Sequence, residues 1–157
     1  MHYYIKLIFI RPFIFAVIFI VSAPVAFAGL GDPAESVHLD KKNLSSKLVN
    51  SDIYPAYSTQ NLESDSSTIK EYINKDGIIF AITWQGLDHP DLSVLLGSHY
   101  ENYKTLVKLE PPQAGRRHHS VKRENLVVQK WGNMRNLRGR AYDPLLLPPG
   151  VALDEIK

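Results

Sequence analysis

Side chains that could carry out chemistry are scattered through this 157-residue chain, and one short motif suggests a nucleophile. Ser67-Thr68-Ile69-Lys70 matches S-x-x-K, a catalytic motif in which the serine and lysine lie one helical turn apart. Here the alternation of apolar and polar residues predicts a strand, so Ser67 and Lys70 would point to opposite faces. The accompanying S-D-N and K-T-G elements do not occur. The match is therefore interpreted as a coincidence.

Histidine and cysteine usage gives no further catalytic site. The chain has no cysteine, which excludes a thiol nucleophile, a disulfide framework and a cysteine metal site. No zinc spacing, G-x-S-x-G, phosphate-binding loop or dinucleotide fingerprint is present. His99 is interpreted as a core histidine, and His118-His119 as solvated. We predict no catalytic residue, cofactor or metal, and enzyme status stays uncertain, leaning towards a non-enzyme.

Arginines form the clearest candidate for partner binding. Arg138 and Arg140 stand two apart on a predicted strand, so both point to one face, beside Met134 and Asn136. Because an unpaired buried charge is costly, this face is expected to be exposed to solvent. A preceding basic loop could extend the patch. The candidate partner-binding residues are Arg116, Arg117, Arg138 and Arg140.

The charge distribution allows two interpretations of that patch. The formal net charge is +2. Residues 29–101 carry 5 Lys and 11 Asp or Glu, whereas residues 102–157 carry 11 Lys or Arg and 5 Asp or Glu. The two halves either neutralise each other across the fold or leave a basic face for an anionic partner.

A strand and a helix next to each other organise the predicted fold. Residues 77–85 are apolar on both faces, which is typical of a central strand. A helix is predicted to follow, capped by Asp88 with Asp91 completing a capping box. Its apolar residues recur at helical spacing and would pack on the strand. The candidate aromatic anchors of this core are Trp84, Tyr100 and Tyr103.

The remaining segments complete an α+β prediction. A weakly amphipathic helix is expected over residues 33–49, an edge strand over 56–62 and a loop over 113–120. A second hairpin, residues 126–131 and 134–142, is expected to turn at Gly132-Asn133. The prediction is about five antiparallel strands in hairpins, with one packed amphipathic helix and one loose N-terminal helix.

The N-terminus has the pattern of a secretory signal peptide. Lys6 and Arg11 precede or flank an apolar run, and Ala26-Phe27-Ala28 is an A-x-A cleavage signature. The apolar stretch is shorter than the roughly 20 residues of a spanning helix. We predict a cleaved signal peptide over residues 1–28 and a single exported domain over 29–157, located in the periplasm or secreted.

Several short motifs resemble a family of small exported bacterial proteins that is known only as a domain of unknown function. They are Gly77…Phe80-Ala81…Trp84-Gln85-Gly86, then Pro90-Asp91-Leu92…Leu95-Leu96-Gly97, and finally Gly139-Arg140-Ala141-Tyr142 with Leu147-Pro148-Pro149-Gly150-Val151. Residues 110–123 depart from the pattern. The resemblance implies export and one compact domain, and it brings no activity or site residue.

Two functions stay open at this point. The first is a non-catalytic periplasmic binding or assembly factor whose partner is an anionic envelope component or an acidic protein surface. The alternative is a periplasmic hydrolase whose site matches none of the known motifs. An Arg and aromatic face would favour the first, and a cleft with a perturbed histidine or carboxylate pair the second. Nucleic acid is not an expected partner of an exported chain, and membrane contact is expected only through the signal peptide.

Overall fold

A computed structural model describes residues 29–34, 46–109 and 118–157 of the protein. Seven strands and two α-helices lie in these ranges. The strands are β1 (Lys47–Ile53), β2 (Tyr57–Glu63), β3 (Ser67–Asn74), β4 (Ile79–Gly86), β5 (His118–Arg123), β6 (Leu126–Asn133) and β7 (Asn136–Tyr142). The helices are α1 (Leu92–Leu95) and α2 (Tyr100–Leu109), and short 3-10 turns cover Gly97–His99 and Leu153–Glu155.

The strands form one antiparallel sheet in the order β1-β2-β3-β4-β7-β6-β5. Strands β1 to β4 run as one meander and β5 to β7 as another. The helices connect the two meanders, so that β4 pairs with β7 at the centre of the sheet. Strand β4 is buried over six consecutive residues, Ile79 to Trp84, which agrees with its central place.

The prediction of an α+β fold with about five strands is wrong. Strands β1 and β5 were missed, and β2, predicted as an edge, lies between β1 and β3. Most residues of β1 and β5 are exposed, so neither has the clean alternation that indicates a strand. Both strands form because backbone groups of β2 and β6 pair with them, which local sequence does not show.

No N-terminal helix of the predicted kind occurs in the described residues. Residues 47–49, expected at its end, belong to β1. Its expected start lies in a turn, where Pro33 makes an isolated bridge with Ile78. Residues 35–45 lie outside the described ranges, as do residues 1–28 with the predicted signal peptide.

The predicted amphipathic helix is interrupted. Asp91, not Asp88, is the cap, and its carboxylate accepts a hydrogen bond of 2.8 Å from the Ser93 N–H. The α-helix ends after one turn because Gly97 takes φ +48°, and a second helix starts at Tyr100. The break brings Gly97 against Gly29, whose Cβ position would lie 2.5 Å from the Gly97 nitrogen.

The two faces of the sheet have separate cores. The first face packs beneath the helices and the segment 29–34, where Leu30 is fully buried. The second face carries a cluster formed by Tyr57, Tyr72, Phe80, Ala81, Val127, Tyr142 and Ile156. The C-terminal residues cover this cluster, and within residues 29–34, 46–109 and 118–157 no helix packs on the rest of the second face.

The C-terminal segment is fixed to the second face by tyrosine hydroxyls. The Tyr72 hydroxyl accepts a hydrogen bond of 2.9 Å from the Lys157 N–H and donates one of 2.7 Å to the Lys157 carbonyl oxygen. The Tyr57 hydroxyl donates to Glu155 Oε2 at 3.3 Å. Burial and the nearby Glu155 carboxylate raise the pKa of Tyr57, so this hydroxyl stays a donor at physiological pH.

Candidate functional site: a cationic groove on the sheet

The uncovered part of the second face is built from two rows of side chains that cross the strands. Strand register aligns Lys70, Thr83, Arg140 and Gln129 in the first row. The second row, two residues further along each strand, contains Thr68, Gln85, Arg138 and Trp131. Because side chains alternate between faces, both rows point away from the helices. We call this surface the cationic groove.

Arg140 is held in place on the floor of the groove. Its Nε donates a hydrogen bond of 2.6 Å to Gln129 Oε1, and its Nη1 donates one of 3.0 Å to the Leu153 carbonyl oxygen. Its guanidinium lies 5.9 Å from the ring centroid of Tyr142. These contacts use two of the five guanidinium N–H donors and leave the others for a ligand.

Arg138 is the more exposed of the two arginines. Its Nε donates a hydrogen bond of 3.2 Å to Asn136 Oδ1, which orients the guanidinium along β7. Trp131 on β6 and Gln85 on β4 are its cross-strand neighbours. Directly opposed side chains on neighbouring strands have Cβ atoms about 5 Å apart, so the indole and the guanidinium can contact one ligand together.

The positive charges of the groove make no direct ion pair within the described residues. The ion pairs found there are His99 with Asp143 and Lys104 with Glu101, neither of which lies in the groove. Over residues 29–34, 46–109 and 118–157, no carboxylate oxygen lies within 4 Å of a nitrogen of Lys70, Arg138 or Arg140. Of the two interpretations of the charge distribution, this geometry supports an open basic face.

The groove is wide enough for a chain-like ligand and is lined mostly by polar residues. Its volume is about 1260 Å³. Amide and hydroxyl side chains supply most of its hydrogen-bonding groups, namely Asn61, Thr68, Thr83, Gln85, Gln129 and Asn136. Glu63 and Asp65 lie at the β2–β3 end. The groove is therefore acidic at one end and cationic over β7.

The candidate residues predicted from sequence fall into three places. Arg138 and Arg140 lie together in the groove, and Arg116 and Arg117 lie outside the described residues. The three aromatic anchors lie on the opposite face: Trp84 and Tyr103 are buried, and Tyr100 is half-buried beside them. Met134, expected beside the arginines, is 94% exposed in the β6–β7 turn.

Sequence analysis missed the residues that surround the two arginines in the groove. Lys70, Thr83, Gln85 and Gln129 come from three other strands, and their approach to Arg140 depends on register across the whole sheet. The available signal was weak: each is a polar residue at an alternate position of a predicted strand. Such residues are usually solvated, and nothing local distinguishes these.

The S-x-x-K residues do not form a nucleophilic pair. Both lie on β3, as the strand prediction required. Ser67 is buried, and its hydroxyl lies 3.1 Å from that of Ser64 in the β2–β3 turn. Lys70 points into the groove with its ammonium 5.1 Å from the ring centroid of Tyr72. The two side chains are three residues apart on a strand and so face opposite ways.

A second catalytic arrangement is also misaligned. Ser98, His99 and Asp143 are neighbours on the first face, but His99 Nε2 is 3.8 Å from Asp143 Oδ2 and His99 Nδ1 is 3.4 Å from Ser98 Oγ. Nucleophile, base and orienting carboxylate are usually linked at about 2.6–3.2 Å. In the described part of the chain, no three His, Cys, Asp or Glu side chains are grouped to hold a metal ion.

His89 is the histidine whose environment changes its chemistry most clearly. Trp84 Nε1–H donates a hydrogen bond of 2.9 Å to His89 Nδ1, which requires that nitrogen to be unprotonated. Burial, with the positive charge of Lys130 nearby, lowers the pKa of His89 below its usual 6.5, although Asp88 opposes the shift. The imidazole therefore acts as a neutral acceptor for a core tryptophan.

This hydrogen bond predicts a pH-dependent stability. The unfolded chain takes up a proton at His89 below about pH 6.5, whereas the folded chain resists it, so the free energy of unfolding should fall as pH drops through the folded pKa. Asparagine at this position keeps an acceptor but does not titrate. Urea denaturation between about pH 7.5 and 5 should show a smaller decline for His89→Asn than for the native chain. The exposed His118→Asn serves as control, and an equal decline in all three proteins would contradict the assignment.

Membrane-spanning helices were sought among the described residues. In residues 29–34, 46–109 and 118–157, no helix has the length and apolar character required to cross a bilayer.

Fold and site together define an antiparallel-sheet protein with helices on one face and a polar, cationic groove on the other. Residues 26–156 match the family described as "Protein of unknown function (DUF2844)", and the chain belongs to this family. The match confirms the resemblance to a domain of unknown function. No curated protein and no solved structure matches the chain.

Proposed function

We propose that the protein is an exported, non-catalytic binding or assembly factor that holds an anionic partner in the cationic groove. The observation that carries the proposal is the pair Arg138 and Arg140, displayed on the interior strand β7 with no carboxylate within 4 Å among the described residues. Interior strands are rigid, so the guanidinium groups are positioned before a ligand arrives, which lowers the entropic cost of binding.

Export is supported by the sequence of the first 28 residues, with their positive charges, apolar run and A-x-A signature. Cleavage after Ala28 would give a domain over residues 29–157, which is nearly the range that matches the family. The periplasm or the exterior would then be the working compartment. The partner is accordingly sought among anionic components of the envelope, and nucleic acid is not proposed.

The groove itself favours binding over hydrolysis. Around the two arginines, on β4 and β7, its polar side chains are cations, amides and hydroxyls, whereas a general acid–base pair would need two positioned carboxylates or a histidine. Glu63 and Asp65 lie at the far end from the arginines, and His118 is an exposed residue at the rim. We therefore assign no catalytic residue and propose no hydrolase.

Replacing Arg138 and Arg140 together by alanine tests the proposal. We expect the stability to change by less than about 1 kcal/mol, because both arginines are at least partly solvated and their neighbours can bond to water. Recovery of the partner, measured by crosslinking in living cells and mass spectrometry, should fall about tenfold, and recovery of the native complex should fall with salt.

Lys104→Ala with Lys108→Ala is the matched control. Both lysines are exposed on α2, on the opposite side of the sheet, so this variant removes the same charge without touching the groove. It should capture the partner as the native chain does. Equal capture by the arginine variant and the native protein, at equal amounts of folded protein, would show that the groove is not the binding surface.

A further inference from the structure

We propose that the anionic partner is an acidic carbohydrate polymer whose sugar carboxylates lie over Arg138, Arg140 and Lys70 and whose rings stack on Trp131. This inference rests on the proposed function and names the chemical class of its ligand. The evidence lies in the spacing of the cations, the placement of the indole and the kind of polar groups between them.

The cations are spread over an elongated surface, not concentrated at a point. Lys70 on β3 and Arg140 on β7 share a row and are separated by β4, so their backbones are about 10 Å apart at the usual strand spacing. Arg138 and Arg140 are two residues apart on one strand, about 7 Å. A single phosphate or carboxylate would leave part of this elongated surface unoccupied. A polymer with a carboxylate on successive units can contact all three.

Trp131 supplies a flat apolar surface directly beside a cation. It lies opposite Arg138 in the register of β6 and β7 and is partly exposed at the rim of the groove. An indole offers a large apolar face with little conformational entropy to lose. A pyranose ring presents C–H groups on its flat side, so a ring placed on Trp131 can direct its carboxylate to Arg138.

The neutral groups between the cations suit a ligand rich in hydroxyls. Asn61, Thr83, Gln85 and Gln129 offer both donors and acceptors along the two rows. Among the described residues, the aliphatic side chains that line the groove are Leu87 at one rim and the buried Ile156, so the groove offers a protein partner little aliphatic surface. An acidic protein surface is therefore the less suitable occupant.

The length of the groove across the strands indicates that it binds several sugar units of the polymer at once. From β3 to β6 the rows cross three strand spacings, about 14 Å. Binding should accordingly strengthen with chain length until the groove is filled. The acidic end near Glu63 and Asp65 would repel carboxylates, so we place the polymer over β3, β4, β7 and β6 and away from the β2–β3 turn.

Direct binding to defined oligosaccharides tests the inference. The probes are hexamers of galacturonate, of alginate and of hyaluronate, each compared with its methyl-esterified form, and poly-glutamate of equal charge. Titration calorimetry of the full mature chain should show at least one carboxylated hexamer binding about tenfold more tightly than its ester and than poly-glutamate. A dimer of the same sugar should bind more weakly than the hexamer.

Trp131 distinguishes a sugar from a merely anionic ligand. Trp131→Ala should weaken hexamer binding about tenfold while leaving the weak binding of poly-glutamate unchanged, and Trp131→Tyr should restore most of the affinity because it keeps a stacking surface. Circular dichroism and thermal melting establish that each variant is folded. Tyr54→Ala, at an exposed tyrosine in the β1–β2 turn and outside the groove lining, is a control for loss of an aromatic residue.

Failure of this inference differs from failure of the proposed function. If no carboxylated hexamer binds, or if poly-glutamate binds as tightly as the sugars, the carbohydrate assignment is overturned. The proposed function would still stand if Arg138→Ala with Arg140→Ala reduces capture of the cellular partner. If neither the hexamers nor the captured partner responds to the arginines, both are wrong.

Discussion

Trp84→Ala should lower the free energy of unfolding by about 3–5 kcal/mol, the usual cost of removing a buried aromatic side chain. The indole is 3% exposed and lies in the helix-side core. It also lies across the backbone of Gly139, where a Cβ would be 2.2 Å from the ring atom Cζ2. Removing it therefore leaves a void over two central strands and deprives His89 of its hydrogen-bond donor.

Chemical denaturation measures this loss, provided that the free energy of unfolding depends on denaturant concentration with the same slope in both proteins. Because small domains are stable by only about 5–15 kcal/mol, the variant should be near the limit of folding at 37 °C. Trp131→Ala, which removes the half-buried tryptophan of the groove, should cost much less. A Trp84→Ala midpoint equal to that of the native chain would show that β4 and β7 do not pack through this ring.

Leu30→Ala should lower the free energy of unfolding by about 2–5 kcal/mol, although the residue belongs to no helix or strand. Its side chain is fully buried in the helix-side core, and its N–H donates a hydrogen bond of 2.9 Å to the Leu95 carbonyl oxygen. Two further backbone hydrogen bonds tie the segment to β4: Gly31 N–H to the Ile79 oxygen and Ile79 N–H to the Asp32 oxygen.

The control is Leu145→Ala, which truncates a leucine that is 67% exposed and should change stability by less than about 0.5 kcal/mol. Hydrogen exchange at Gly31 gives an independent measurement, since its amide should be protected in the native chain and less so in Leu30→Ala. Equal midpoints for Leu30→Ala and the native protein would mean that residues 29–34 are not docked in solution.

The sequence predicted the centre of the sheet better than its edges, for a physical reason. In β4 and in β6 with β7, apolar residues alternate or run continuously, since these strands are buried. Edge strand β1 has two half-buried residues among seven, and it depends on pairing with β2. Whether such a strand forms depends on its partner strand as much as on its own sequence.

Tertiary contacts also explain why the second hairpin turn and the predicted helix differ from the prediction at two glycines. The second hairpin turns at Met134-Arg135, one pair later than predicted, with Arg135 in the left-handed region at φ 66°. Gly132 is instead required inside β6, where a Cβ would lie 2.2 Å from the Asn136 oxygen. Likewise, the helix breaks at Gly97, where Gly29 packs against it, a contact between residues 68 positions apart in the sequence.

The candidate site, too, could be predicted only in part from the sequence. Strand periodicity alone placed Arg138 and Arg140 on one face. It could not place Lys70, Gln85 or Trp131 beside them, since that requires the pairing of β4 with β7 across the helical connection. The bounds of the groove also depend on the C-terminal residues that cover the tyrosine cluster, and no local pattern indicates where a tail will pack.

The close contact between Gly29 and Gly97 has a consequence for the proposed cleavage after Ala28. Gly29 is buried, and the proposed cleavage site is the peptide bond that precedes it. Proteases cut segments that are exposed and free to adopt an extended form. Cleavage at this bond would thus have to occur while residues 29–34 are undocked from β4 and Gly97. If the proposed cleavage takes place, docking of residues 29–34 would then follow it and would bury the new N-terminal residue.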